Sequence, residues 1–322
     1  MINKGFQDNR PVIIIDALNL FTRHFIAHPA LGKNGQHVGG IVGFLYAISS
    51  FSEQYGPSKV IVVWEGGGSK RKRDIYKDYK QKRRPAKLNR QYKEIPDSIE
   101  NRNYQVAFLV NILSLLPICQ IYGDECEADD AIGYICKYRL KDKRKLIISS
   151  DKDFYQLLDK KTIIYSPTWK KLVTSKEVKS KFKISPENFC LVKAICGDKS
   201  DNIPGVKGAG FKTVSKRFSF LQNDESYTIN DIIKFCEKLI NEKSVVKILH
   251  EIKKSQNIIE RNWKLMHLDT SNLSHAQIKK INYSLDNISY KKNKIEAMRM
   301  LSKQGIQNFN IDRLFLSLSQ IG

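Results

Sequence analysis

"ICQIYGDECEADDAIGYICKYRL", residues 118–140, reads as two kinds of structure joined by acid. Its start, "ICQIYGD" (118–124), is a short apolar run of strand length. Its end, "ADDAIGYICKYRL" (128–140), repeats apolar residues at helical spacing. Between them Glu127, Asp129 and Asp130 open the helix. A strand that runs through an acidic turn into a helix is half of a βα unit, and the same unit recurs along the chain. "PVIIID" (11–16), "KVIVVWE" (59–65) and "KLIISSD" (145–151) are short, continuous and β-branched, as buried parallel strands are. Helical patterns fall between them at "GGIVGFLYAISSFSEQY" (39–55) and at about 101–116. The alternation predicts an α/β fold with a mostly parallel central sheet flanked by helices.

The chain has 322 residues, 41% of them hydrophobic, enough for a main body and a satellite region. Lys and Arg outnumber Asp and Glu by 55 to 33, a formal charge of +22. That balance favours a polyanionic partner, nucleic acid over a membrane surface. The start "MINKGFQDNRP" lacks the apolar core of a signal peptide. The long uncharged run 103–122 is interrupted by Gln105, Asn111, Ser114, Pro117 and Gln120, so it reads as helix then strand and not as a membrane span. The six cysteines form no CxxC pair, which suggests reduced thiols in a cytoplasmic compartment and argues against zinc. Residues 70–93 hold twelve Lys or Arg and three Tyr with almost nothing to bury. From about 224 the pattern is helical and basic, and is expected to wrap on the body.

Each strong strand ends in a carboxylate: Asp16, Glu65 and Asp151, the last followed by Asp153. The carboxyl ends of parallel strands share one edge, where ligands bind. Asp198 and Asp201, in "CGDKSDN", add a pair that would share one face if helical. Any one of these acids alone reads best as a helix cap or a solvated loop residue. Nine of them in one cleft would raise one another's pKa unless a cation neutralised them, and the charge elsewhere in the chain looks too distant to do so. Oxygen ligands without His or Cys call for Mg²⁺ or Mn²⁺, two ions being the arrangement that clamps a phosphoryl displacement.

"IPGVKGAGFKTV" (203–214) follows the last acidic pair. Gly205, Gly208 and Gly210 permit a tight hairpin whose backbone N–H groups face a phosphate, with Lys207, Lys212, Lys216 and Arg217 around it. With this motif in place the chain resembles the 5′-nuclease family, the flap endonucleases and 5′→3′ exonucleases, and most of all the stand-alone phage ribonuclease H type. "EADD", "SSDKDF", "YSPTWKK" and "GDKSDNIPGVKGAG" carry the resemblance, which covers about 1–220 well.

The resemblance implies a nuclease core over 1–183, with a basic arch at about 68–100, and a helical region over 184–322. Within that region a helix–three-turn–helix at about 190–218 would hold duplex DNA, and a K⁺ site at its hairpin is common in the family. All nine carboxylates, Asp16, Glu65, Glu127, Asp129, Asp130, Asp151, Asp153, Asp198 and Asp201, become metal-site residues, with the closer ligand of Asp129 and Asp130 left open. Lys80 and Arg83, in "YKQKR", match the basic pair that meets the scissile phosphate. Arg71, Arg73, Lys77 and Arg84 fall in the arch as DNA contacts, and Tyr76, Tyr79 and Tyr92 are expected to stack on unpaired bases.

The activity implied is Mg²⁺-dependent hydrolysis of 5′ flaps, nicked duplexes and RNA–DNA primers, by a free-standing monomer in bacterial or phage-infected cytoplasm. A sliding clamp or single-strand-binding protein would be its protein partner. One departure stands out: Glu65, in "WEG", replaces the family's usual aspartate. The competing readings are a PIN-type ribonuclease and a protein that grips branched DNA without cutting it.

Overall fold

The computed structural model describes residues 9–33, 35–81, 99–242 and 246–321. Its strands are β1 (Val12–Asp16), β2 (Lys59–Gly66), β3 (Cys119–Asp124), β4 (Lys145–Ile148), β5 (Thr162–Ser166) and β6 (Lys171–Val173). They form one sheet in the order β3-β2-β1-β4-β5-β6, parallel except for the antiparallel edge strand β6. Both faces are covered. Ile13, Ile15, Val60, Val62, Leu146 and Ile148 enter one core, and Val12, Ile14, Ile61, Val63 and Ile147 the other. Burial on two sides is why these strands read as unbroken apolar runs and not as alternating ones.

Helices α1 (Ala17–Ala27), α2 (Gly39–Tyr55), α3 (Lys70–Ile75) and α4 (Ile99–Leu113) precede β3. After it come α5 (Ala128–Tyr134), α6 (Ser175–Phe182), α7 (Pro186–Cys196) and α8 (Phe211–Arg217). Helix α2 has the limits its sequence pattern predicts, and α5 runs on as a π-helical turn, Ile135–Arg139. The C-terminal third supplies both cores. Ile232, Leu249, Ile259 and Leu265 join one core, and Leu301, Ile311 and Leu314 join the other. No helix among the described residues is long and apolar enough to cross a membrane.

Several sequence expectations need correction. The strand expected over 145–151 stops at Ile148, because side-chain bonds draw the chain out of the ladder. Ser149 donates to Asp16 (3.0 Å) and accepts from the Asp151 N–H (3.1 Å), while Asp151 caps the turn Lys152–Leu157. Asp198 and Asp201 do not share a helical face. Asp198 ends the first strand of a small hairpin, β7 (Gly197–Asp198) and β8 (Ile203–Pro204), and Asp201 lies in its turn. The basic stretch is not free of buried groups either, since Lys72 and Tyr79 are 1% and 5% exposed. Residues 82–98, with Arg83, Arg84 and Tyr92, lie outside the described residues.

Candidate active site

A cleft of about 710 Å³ opens at the carboxyl edge of the sheet. Parallel β1 and β2 deliver Asp16 and Glu65 to it from their ends, the chain after β4 adds Asp151, and Glu127 at the N-cap of α5 and Asp129 in its first turn complete the set. Arg73, Lys80 and Arg102 line the same space. Five of the nine candidate acids therefore meet there. Asp130 does not. It is fully buried behind the cleft, because adjacent residues at the start of a helix point about 100° apart.

Three lysines divide the acids into two classes. Lys72, buried on α3, places its Nζ 2.9 Å from both Glu127 and Asp130. Glu127 also accepts from the Tyr79 hydroxyl (2.8 Å) and pairs with Lys80. Burial alone would raise the Glu127 pKa, but Lys72 and Lys80 hold it down at about 2. Asp130 accepts from Asn272 (3.2 Å), and burial still lifts it to about 6. Lys193, on the apolar helix α7, bridges Asp153 and Asp198, lying 2.7 Å from the latter. Against burial, that cation keeps Asp198 at about 2. Asp201 has its carboxylate 3.9 Å from the Lys80 Nζ, and its carbonyl accepts from the Lys80 N–H (2.9 Å).

Asp16, Asp129 and Asp151 form the second class. Among the described residues none of the three has an ion pair. Burial and neighbouring acids raise Asp16 to about 7, even with hydrogen bonds from Asn19 and Ser149 opposing the rise. The same causes, burial first, raise Asp129 against the pull of Lys80 and Lys72, and lift Asp151 well above its ordinary value against that of Lys193. So the expectation that no protein cation reaches the acids fails by direct ion pairs for Glu127, Asp130, Asp153, Asp198 and Asp201, and at longer range for Asp129, near Lys80 and Lys72, and for Asp151, near Lys193. Among the described residues no three His, Cys, Asp or Glu close tightly on one point. An open set of unpaired carboxylates fits Mg²⁺, which keeps several waters and takes only one or two carboxylates at a time.

Sequence reading missed Lys72, Lys193, Asn19 and Arg102. The signal for Lys193 was visible as a lone cation in "LVKAIC" (191–196). Lys72 had none, being one cation in a run of them. Tyr79 is corrected from base stacking to holding Glu127, and Tyr76 packs under the Arg261 guanidinium, 4.3 Å from its ring.

The hairpin sits beside the site. Asn202 donates to the Asp78 carbonyl (2.8 Å), which ties the hairpin turn to the segment that follows α3. A Cβ on Gly205 would lie 2.1 Å from the Cys196 carbonyl oxygen, so close backbone approach requires glycine there. Gly208 has φ +79°, and a Cβ there would make ordinary contact with Ile248 at 3.9 Å. Gly210 has neither constraint, with extended φ at −122°. Lys207, Lys212 and Lys216 are exposed nearby, as are Arg71, Arg73 and Lys77 on and after α3.

Glu65 faces the cleft from the end of β2, where it pairs with Gly123. Gly67 and Gly68 follow with φ of +81° and +74°, and a Cβ on Gly68 would lie 3.6 Å from the Glu65 carboxylate. The loop wraps the longer side chain using left-handed backbone that only glycine adopts cheaply. Glu65→Ala is expected to lose at least about tenfold in Mg²⁺-dependent cleavage, the scale of one weakened transition-state contact. Glu65→Asp should keep a substantial part and gain more from Mn²⁺ than from Mg²⁺. Steady-state cleavage in the two metals checks this, and a normal rate for Glu65→Ala makes Glu65 a bystander.

A doubly covered parallel sheet whose carboxyl edge gathers unpaired acids, beside a glycine hairpin, defines a nuclease of the phosphodiester-hydrolysing class. Residues 11–183, more than half of the chain, match the 5′-3′ exonuclease, N-terminal resolvase-like domain, and the chain belongs to that family. It is 28% identical over 321 residues to a 5′-3′ exonuclease of Aquifex aeolicus, covering 97% of this chain and 98% of that protein. It is 30% identical over 215 residues to DNA polymerase I of Bacillus subtilis, covering 65% of this chain but only 23% of the polymerase. The fold is that of the T5 D15 protein co-crystallised with metal ions, with TM-score 0.66 at 22% identity, covering 86% of this chain and 99% of that one. A T5 D15 flap endonuclease complex with DNA and metal ions gives TM-score 0.65 at 21% identity, covering 86% and 98%.

Proposed function

We propose that the protein is a structure-specific 5′-nuclease that cuts at 5′ flaps, nicks and RNA–DNA primer junctions with Mg²⁺, and that Mn²⁺ can substitute. The observation that carries this is the set Asp16, Asp129 and Asp151, which have no ion pair among the described residues and whose pKa values are raised, in a cleft that also holds Lys80. These three and Glu65 are the residues proposed to hold the first ion. Asp153, Asp198 and Asp201 would hold a second where Lys193 now bridges two of them. When bound, the ions supply Lewis acidity to water and to the phosphate.

The protein's own cations do the rest. Lys80 leaves Glu127 for the scissile phosphate and offsets charge that grows in the transition state, and Arg73 and Arg102 hold the strand across the cleft. Arg83 and Arg84 are proposed to act in the arch. The hairpin holds the duplex by its backbone, without reading sequence. The division at 183/184 is proposed as one of role, since helices beyond it pack into both cores.

The test is cleavage of a 5′-labelled flap duplex in Mg²⁺ with sizing of the product. A product of flap length, abolished by EDTA, is expected. Cutting of single-stranded RNA alone would favour a PIN-type ribonuclease, and tight binding with no product would favour a non-cleaving DNA-binding protein.

A further inference from the structure

Beyond the cleft, the β5–β6 turn carries Trp169, which is 38% exposed. The Lys181 Nζ lies 3.9 Å from its ring centroid and the Lys171 Nζ lies 5.7 Å away. Beside the indole is a groove of about 210 Å³, with Tyr155, Val173, Val178 and Phe182 along its apolar side and the two lysines at its rim. Glu177 is the single acid lining it among the described residues, and its carboxylate is turned to the Thr174 N–H (2.8 Å). The turn is tied to the active site. Thr168 donates from its backbone and its hydroxyl to Ser150 Oγ (3.1 and 2.8 Å), one residue before Asp151, and Arg23 donates to Thr168 (3.4 Å).

We infer that Trp169, Lys171 and Lys181 form a seat for one unpaired nucleotide of the substrate, held beside the cleft by base stacking. An exposed indole offers a π face to any base, and the two lysines now lying over it can transfer to the flanking phosphates as the base enters. The groove has room for one planar base and no room for a duplex. Its rim charge is complementary to a nucleic acid strand, and its hydrogen-bonded link to Ser150 fixes it relative to Asp151. The seat selects for unpaired nucleotides and not for sequence, because a stacking face presents no donor–acceptor pattern to read.

The inference draws on the nuclease reading for its choice of nucleic acid, so the test is a binding measurement in EDTA, independent of cleavage. Fluorescence anisotropy follows the binding of a labelled oligothymidylate and of a nicked duplex to the 322-residue protein. Trp169→Ala is expected to weaken oligothymidylate binding by about 5- to 150-fold, the range of one lost base–aromatic stack, with a smaller effect on the duplex. Trp169→Phe, which keeps a π face in the same turn, should recover most of the affinity. Lys181→Gln should weaken binding mildly and reduce the log–log salt slope by up to about 0.7. Unchanged affinity in Trp169→Ala overturns the inference. So does a Trp169→Phe variant as weak as Trp169→Ala, or an equal loss on both nucleic acids.

Discussion

Asp129→Asn is expected to abolish cleavage in Mg²⁺ while Asp130→Asn keeps turnover within a few fold, although the two residues are adjacent. Asp129 lines the cleft without an ion pair, and burial with like charge around it marks it as waiting for a cation. Removing its charge removes one of the four groups proposed to seat the metal. Metal stabilisation of the transition state is worth several kcal/mol, so a loss of at least about 10³-fold in single-turnover rate follows. Asp130 is enclosed by Lys72 and Asn272 and reaches no substrate. Asparagine keeps its shape and an oxygen for Lys72. DNA binding in the absence of metal should survive in both variants. Equal loss of turnover from both substitutions would mean that α5 presents its acids differently from this structure.

The second large effect is on stability. Lys72→Met should lower the melting temperature by about 6–20 °C, from a cost of about 3–5 kcal/mol for breaking a buried pair at about 2–4 °C per kcal/mol. Lys72 is the shared cation of Glu127 and Asp130, all three almost wholly buried. The pH dependence separates this from simple loss of packing. In the wild type Glu127 is held at about 2, below its unfolded value near 4.5, so its contribution is present above pH 4.5 and lost only as pH falls through 2. Without Lys72, burial raises Asp130 further above its unfolded value, while Lys80 still opposes the rise at Glu127. The folded variant then binds more protons than the unfolded chain, and its stability rises as pH falls. The gap between wild type and Lys72→Met should therefore narrow from pH 8 to pH 5 by calorimetry. A gap of constant size would assign the loss to packing.

These predictions rest on features of unequal legibility. The strands and the acids at their ends were readable because a parallel sheet buried on both faces leaves unbroken β-branched runs, and Asp16 and Glu65 stand where those runs stop. The glycine hairpin was readable because Gly205 answers a local backbone demand. The lysine counter-ions were not. Lys72 meets Glu127 across 55 positions of sequence and Lys193 meets Asp153 across 40, and neither pairing leaves a local mark. The split between Asp129 and Asp130 depends on which side of α5 faces the cleft, which the sheet decides and the dipeptide does not. Strands β5 and β6 escaped because β6 is three residues long with two of them exposed, so little patterning survives.

The central claim is that Asp16, Asp129 and Asp151 seat the catalytic metal because in them burial and like charge outweigh every protein cation nearby. Anomalous diffraction from crystals of the wild-type protein equilibrated with Mn²⁺ tests it most directly. The expected result is a peak bonded to carboxylate oxygens of those three residues and none at Asp130. A metal seated on Asp130, or no metal at the three acids in crystals of protein that cuts flap DNA in Mn²⁺, would contradict it.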